Sequence, residues 1–103
     1  MEHYYLLRSR QNGDYVAARM AAQPQEEKRL DEREQRYLLL FRADHEAFLY
    51  LNTHAGDVSK HFAVEMSSLR QIKLTLERLG FTGVGFVSDA LLPQVDFMES
   101  RLL

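Results

Sequence analysis

The chain predicts one α+β domain, in which a mixed sheet of about five strands carries two or three helices. Three observations lead there: an Asn-Gly pair between two strand-like segments, an uninterrupted apolar run in mid-chain, and an amphipathic helix with recognisable stop signals that runs straight into another strand. The expected element order is an N-terminal β-hairpin followed by strand, helix, strand, helix and strand. At 103 residues the whole chain, 1–103, fits a single core.

The hairpin comes from Gln11-Asn12-Gly13-Asp14, since Asn-Gly tolerates the positive φ angles of a two-residue turn. Its arms are Glu2–Arg10 and Asp14–Ala22. The stretch 24–36 then holds Leu30 as its only apolar side chain and cannot bury a face, which predicts a solvated charged loop or a frayed helix. Tyr37-Leu38-Leu39-Leu40-Phe41 lacks period-2 alternation and predicts a central strand covered on both faces.

Asp44–Ala55 fits a helix ended by Gly56, with a hairpin arm as the rival. His61–Met66 alternates like a half-buried strand. Ser68 and Gln71 have capping-box spacing, Leu69, Ile72, Leu76 and Leu79 form one stripe, and Gly80 stops the helix. Gly83–Val87 follows as a strand, so the order strand, helix, strand suggests a parallel crossover. Two glycines in that strand imply that some element approaches its backbone closely. The tail from Asp89 suits a helix with Pro93 in its first turn, and an extended Gln94–Glu99 is the alternative.

Composition narrows the function. There is no cysteine, which removes disulfides, thiolate nucleophiles and sulfur-based zinc sites and suits a cytoplasmic setting. No stretch approaches the length needed to span a membrane, and no signal-peptide core is expected at the N-terminus. A net charge of -2 gives no general attraction to nucleic acid.

Pairing through a two-residue turn would set Tyr4, Arg8, Arg10, Tyr15 and Arg19 on one outward sheet face, where guanidinium groups and phenol rings suit phosphates and stacked bases. The opposite reading, that arginine stems pack on tyrosine rings, is favoured by the acidic balance. His54, Asp57 and His61 are of metal-ligating or cleft-forming type, but they lack a paired-ligand motif, and no cofactor is implied. The apolar stripe Leu91, Leu92, Val95, Met98 and Leu102 lies near the end of the sequence and is a candidate oligomer interface. With no catalytic motif, the expected function is a non-enzymatic interaction or regulatory module that binds another protein or a second copy of itself as a homodimer. A nucleic-acid-binding module and a small enzyme or ligand-binding domain are the alternatives.

Overall fold

The first hairpin opens after a few residue pairs, and that divergence sets the plan of the sheet. The computed structural model describes residues 2–20 and 35–103. Strand β1 (His3–Ser9) leads into a loop in which Ser9 Oγ accepts from the Gln11 and Asn12 N–H groups at 3.2 and 3.4 Å, and Asn12 Oδ1 accepts from Asp14 N–H at 2.9 Å. Within this loop only Gly13 has positive φ, at 77°. The loop is therefore longer than a two-residue turn, closed by the Ser9 N–H bond to Asp14 O at 2.8 Å. Arg8 then stands opposite Tyr15, where a two-residue turn would have placed Arg10. Beyond Val16, β2 (Ala17–Met20) leaves β1 and pairs with β3 (Gln35–Leu40).

The charged stretch lies mostly outside the described residues, but its last two, Gln35 and Arg36, open β3. Helix α1 (Asp44–His54) follows, then a 3-10 turn over Gly56–His61, strand β4 (Phe62–Ser68) and helix α2 (Leu69–Leu79). Strands β5 (Gly83–Asp89) and β6 (Gln94–Glu99) and a 3-10 turn over Ser100–Leu102 complete the order. The fold is α+β, with six strands in two sheets: β1 with β4, and β2-β3-β5-β6. Bridges at Tyr5/Phe41 and Arg8/Tyr15 join the two.

Strand β5 does not pair with β4, as a simple crossover would require. Its parallel neighbour is β3, and β4 runs antiparallel to β1. Burial explains the choice: Leu38, Leu39 and Leu40 in β3 and Val84 and Val87 in β5 are buried to within a few per cent, so both strands need cover on both faces and both take the centre. Strand β4 is mostly half-buried and takes an edge.

Two apolar clusters divide the faces. Leu6, Leu38, Leu40 and Val84 pack with Ile72 and Leu76 of α2, while Leu7, Leu39, Phe41 and Val87 pack with Ala47 and Leu51 of α1. Consecutive strand residues alternate between clusters, so the two helices cover opposite sides of the strands. Full burial of one such side chain contributes about 1.5–3 kcal/mol. Helix α2 is fixed at its start by Ser68 Oγ, which accepts from Gln71 N–H at 3.2 Å. It ends at Gly80, φ 72°, with Phe81 N–H bonded to Leu76 O at 2.9 Å.

Candidate functional site

The five hairpin residues separate into three groups. Tyr4, Leu6, Tyr15 and Ala17 do share one face, but it is the face under α2: Leu6 is fully buried, and Tyr4 and Tyr15 are half-buried against its cluster. Tyr4 OH donates to Glu2 at 3.1 Å and its ring lies 5.6 Å from that of Phe86. Burial, then Glu2, pushes the Tyr4 phenol above its usual range.

Arg8 stacks over the Tyr15 ring at 5.2 Å, donates to Gly13 O at 3.0 Å and sits 3.7 Å from Glu65 Oε2. Burial and then the Glu65 charge raise the Tyr15 pKa. The Arg8 charge is thus met at the surface by a carboxylate and a ring of the same chain. Arg10 lies in the loop and is tied to the start of β4, with N–H to His61 O at 2.7 Å and Nε to Phe62 O at 3.3 Å. Arg19 faces Arg36 across the β2–β3 ladder. Arg36 stacks on Phe81 at 4.7 Å and donates to Leu79 O at 2.7 Å, which places a cation on the C-terminal carbonyls of α2. Tyr15, Arg19, Arg36 and Phe81 line a cleft of about 430 Å³.

The histidines do not converge. His54 Nε2 donates to Ala90 O at 2.8 Å and its ring lies 4.7 Å from Tyr50, whereas His61 Nδ1 accepts from the Gln11 amide at 3.3 Å. Asp57 is exposed in the first turn of the 3-10 segment. Among the described residues no three His, Cys, Asp or Glu side chains come together in a way that could hold a metal ion.

The tail corrects the helical expectation. Gln94–Glu99 is the strand β6, antiparallel to β5, because the two glycines leave room for it. A Cβ on Gly83 would overlap the Met98 carbonyl oxygen, and one on Gly85 would lie 2.8 Å from Val95 Cγ1. Asp89 Oδ1 accepts from the N–H groups of Leu91 and Leu92 at 2.9 and 3.0 Å and shapes the turn into β6.

The strand forms one end of the four-stranded sheet, and five of its six residues are exposed. Ser100 N–H donates to Thr82 O at 3.0 Å and the Met98 carbonyl faces Gly83, so the even-numbered residues turn their backbone groups toward β5. By the alternation of an antiparallel ladder, Val95, Phe97 and Glu99 turn theirs outward. Leu92 (75% exposed) and Leu102 (64%) flank this edge, with Leu91, Phe97 and Met98 also exposed. Of the predicted stripe only Val95 is half-buried, where it packs beside the α1-side cluster.

Phe97 is the residue the helical reading missed. It packs edge-on against Tyr37 at 4.9 Å. The signal was the period-2 set Val95, Phe97, Glu99 beside a glycine-rich partner strand. Strand β4 ends the other sheet, but only Met66 of its residues is exposed.

Comparison of the chain with protein-family models, curated proteins and solved structures finds no match.

Proposed function

We propose that this chain is a non-enzymatic interaction module that binds another polypeptide by strand addition at the outer edge of β6. The observation behind this reading is the edge itself: an exposed strand with outward backbone groups at Val95, Phe97 and Glu99, flanked by exposed leucines. Unpaired strand edges are templates for another strand, and main-chain hydrogen bonds supply the affinity of such contacts.

Glu99 offers a selective test because its φ of -66° already matches the proline ring and its N–H points away from β5. A photo-crosslinking residue at Leu92 should yield an adduct in cells that disappears when Glu99→Pro is added, and none should form from Arg70 on α2. Adducts that persist in the proline variant, or that form equally from Arg70, would overturn the reading.

A second reading draws on the Tyr15, Arg19, Arg36 and Phe81 cleft, which two arginines paired across the β2–β3 ladder line together with two rings, a combination suited to single-stranded nucleic acid. It requires anisotropy of a labelled oligonucleotide that falls steeply with salt and falls again in Arg19→Ala. Salt-insensitive or undetectable binding disposes of it.

A further inference from the structure

Strand addition at β6 leaves the partner unnamed, and the pattern around Phe97 names one. We propose that the occupant of this edge is a second copy of the chain, paired antiparallel about a two-fold axis at Phe97. The proposal rests on the strand-addition reading and specifies its partner and register.

Two identical antiparallel edge strands are related by an axis perpendicular to the sheet, so each residue stays on its own face and one residue meets its own copy. With the axis at Asp96, two carboxylates would face each other in the closely spaced type of pair, Cα atoms about 4.5 Å apart. Like charges directly opposite destabilise a ladder. With the axis at Val95, the outward groups of Phe97 would meet Pro93, which has no N–H to donate.

With the axis at Phe97, the residues that face outward meet one another. Phe97 meets Phe97 of the second copy, and Val95 meets Glu99 twice, giving about six backbone hydrogen bonds at two per facing pair. Asp96 then lies opposite Met98, with no facing pair of like charges. Each Phe97 already leans on Tyr37, so the pairing builds a row of four aromatic rings across the axis.

The flanks repeat the symmetry. Leu92 stands five residues before Phe97 and Leu102 five after, both exposed, so the two-fold directs Leu92 of one copy toward Leu102 of the other. An isologous interface needs a self-complementary patch, and this segment is one.

Size-exclusion chromatography with light scattering reads the state of the wild type, Glu99→Pro and Glu99→Ala. The expected result is a wild-type dimer, at least a tenfold weaker dimer for the proline variant and a smaller effect for alanine, with thermal melts of all three alike at a concentration low enough that each is monomeric. The chain lacks cysteine, so Phe97→Cys should form a disulfide dimer under mild oxidation, its facing Cα atoms about 5.5 Å apart and within bridging range. Asp96→Cys should not, because the two copies of that position would be about 7–8 Å apart on the diagonal. A wild type that stays monomeric at all concentrations overturns the second-copy proposal and leaves the edge reading to the Leu92 crosslink. A dimer indifferent to Glu99→Pro removes the edge as well. Disulfide formation by Asp96→Cys in preference to Phe97→Cys overturns the register.

Discussion

Replacing Gly83 by alanine tests whether β6 is held where close backbone approach puts it. The new methyl would overlap the Met98 carbonyl oxygen and lie 2.8 Å from Glu99 Cα and 2.9 Å from Met98 C. All three obstacles are backbone, so relief requires β6 itself to move. Overpacking costs about 1–3 kcal/mol, and a backbone obstacle belongs at the upper end. Alanine recovers about 0.4–1 kcal/mol by restricting the unfolded chain. The net loss is about 2 kcal/mol, which for a domain of this size lowers Tm by roughly 8–16 °C.

Gly85→Ala is the control on the same strand. Its methyl would meet Val95 Cγ1 at 2.8 Å, Leu39 Cδ2 at 3.2 Å and Phe97 Cε1 at 3.4 Å, all side-chain atoms that can give. The cost should stay within about 1 kcal/mol. Urea denaturation followed by far-UV circular dichroism measures both variants, and amide exchange along β6 should rise in Gly83→Ala alone. If Gly85→Ala proves the more damaging, the packing of β6 against β5 described above is wrong.

Other expectations concern the helices and the buried phenols. Leu76→Ala on α2 and Leu51→Ala on α1 should each cost about 2–5 kcal/mol in urea denaturation, because each opens a separate cluster; near-neutral behaviour of either would mean its face is not packed. Ser68→Ala removes the hydroxyl that caps α2 and should cost about 1 kcal/mol, while Ser68→Asp should retain most of it, measured by the same method. Tyr4, Tyr15 and Tyr50 all have pKa values raised above 10.0, with burial the largest cause in each. In that situation the unfolded chain ionises first, so the stability is intact below pH 10 and is lost as pH rises through the folded-state values. Tm measured from pH 9 to 11 should fall, and Tyr50→Phe should flatten the slope; an unchanged slope would show that Tyr50 does not contribute.

Much of the fold was legible because several signals were local and mutually consistent. Leu38–Leu40 could be satisfied only in mid-sheet, and Ser68, the Ile72/Leu76 stripe and Gly80 fixed α2 with no help from distant contacts. The hairpin register was less legible. Ser9 and Asn12 use their side chains to widen the loop, which shifts the pairing by two residues. A two-residue shift preserves side-chain parity, so Arg8 and Tyr15 still share a face. What the pattern could not convey is that this face carries α2, because the covering helix lies some 60 residues further along the chain.

The tail failed for another reason. Leu91, Leu92, Val95, Met98 and Leu102 fit a helical stripe as well as Val95 and Phe97 fit a strand, and a short segment cannot decide between the two periods. The deciding residues were Gly83 and Gly85 in the partner strand, whose bare backbone accepts a close neighbour.

The placement of the helices bears directly on where this protein can bind another. Helix α1 covers one side of the central strands and α2 the other, so among the described residues neither face of those strands is open to a partner. Among the described residues the remaining main-chain surface is at the sheet ends β2, β4 and β6, and β2 is a four-residue strand whose Ala17 and Ala18 are half-buried. At β4 the 3-10 turn and α2 follow without a break on either side, and the strand stays largely half-buried. At β6 the preceding turn is shaped by Asp89 and tied to α1 by the His54 bond to Ala90, and the strand stands exposed. Its single carboxylate within the strand interior, Asp96, permits pairing about Phe97 and penalises pairing about itself. A charge in an edge strand commonly serves to prevent association; here its position, one residue from the centre of the apolar pattern, penalises the register about itself and leaves the one about Phe97 free of facing like charges.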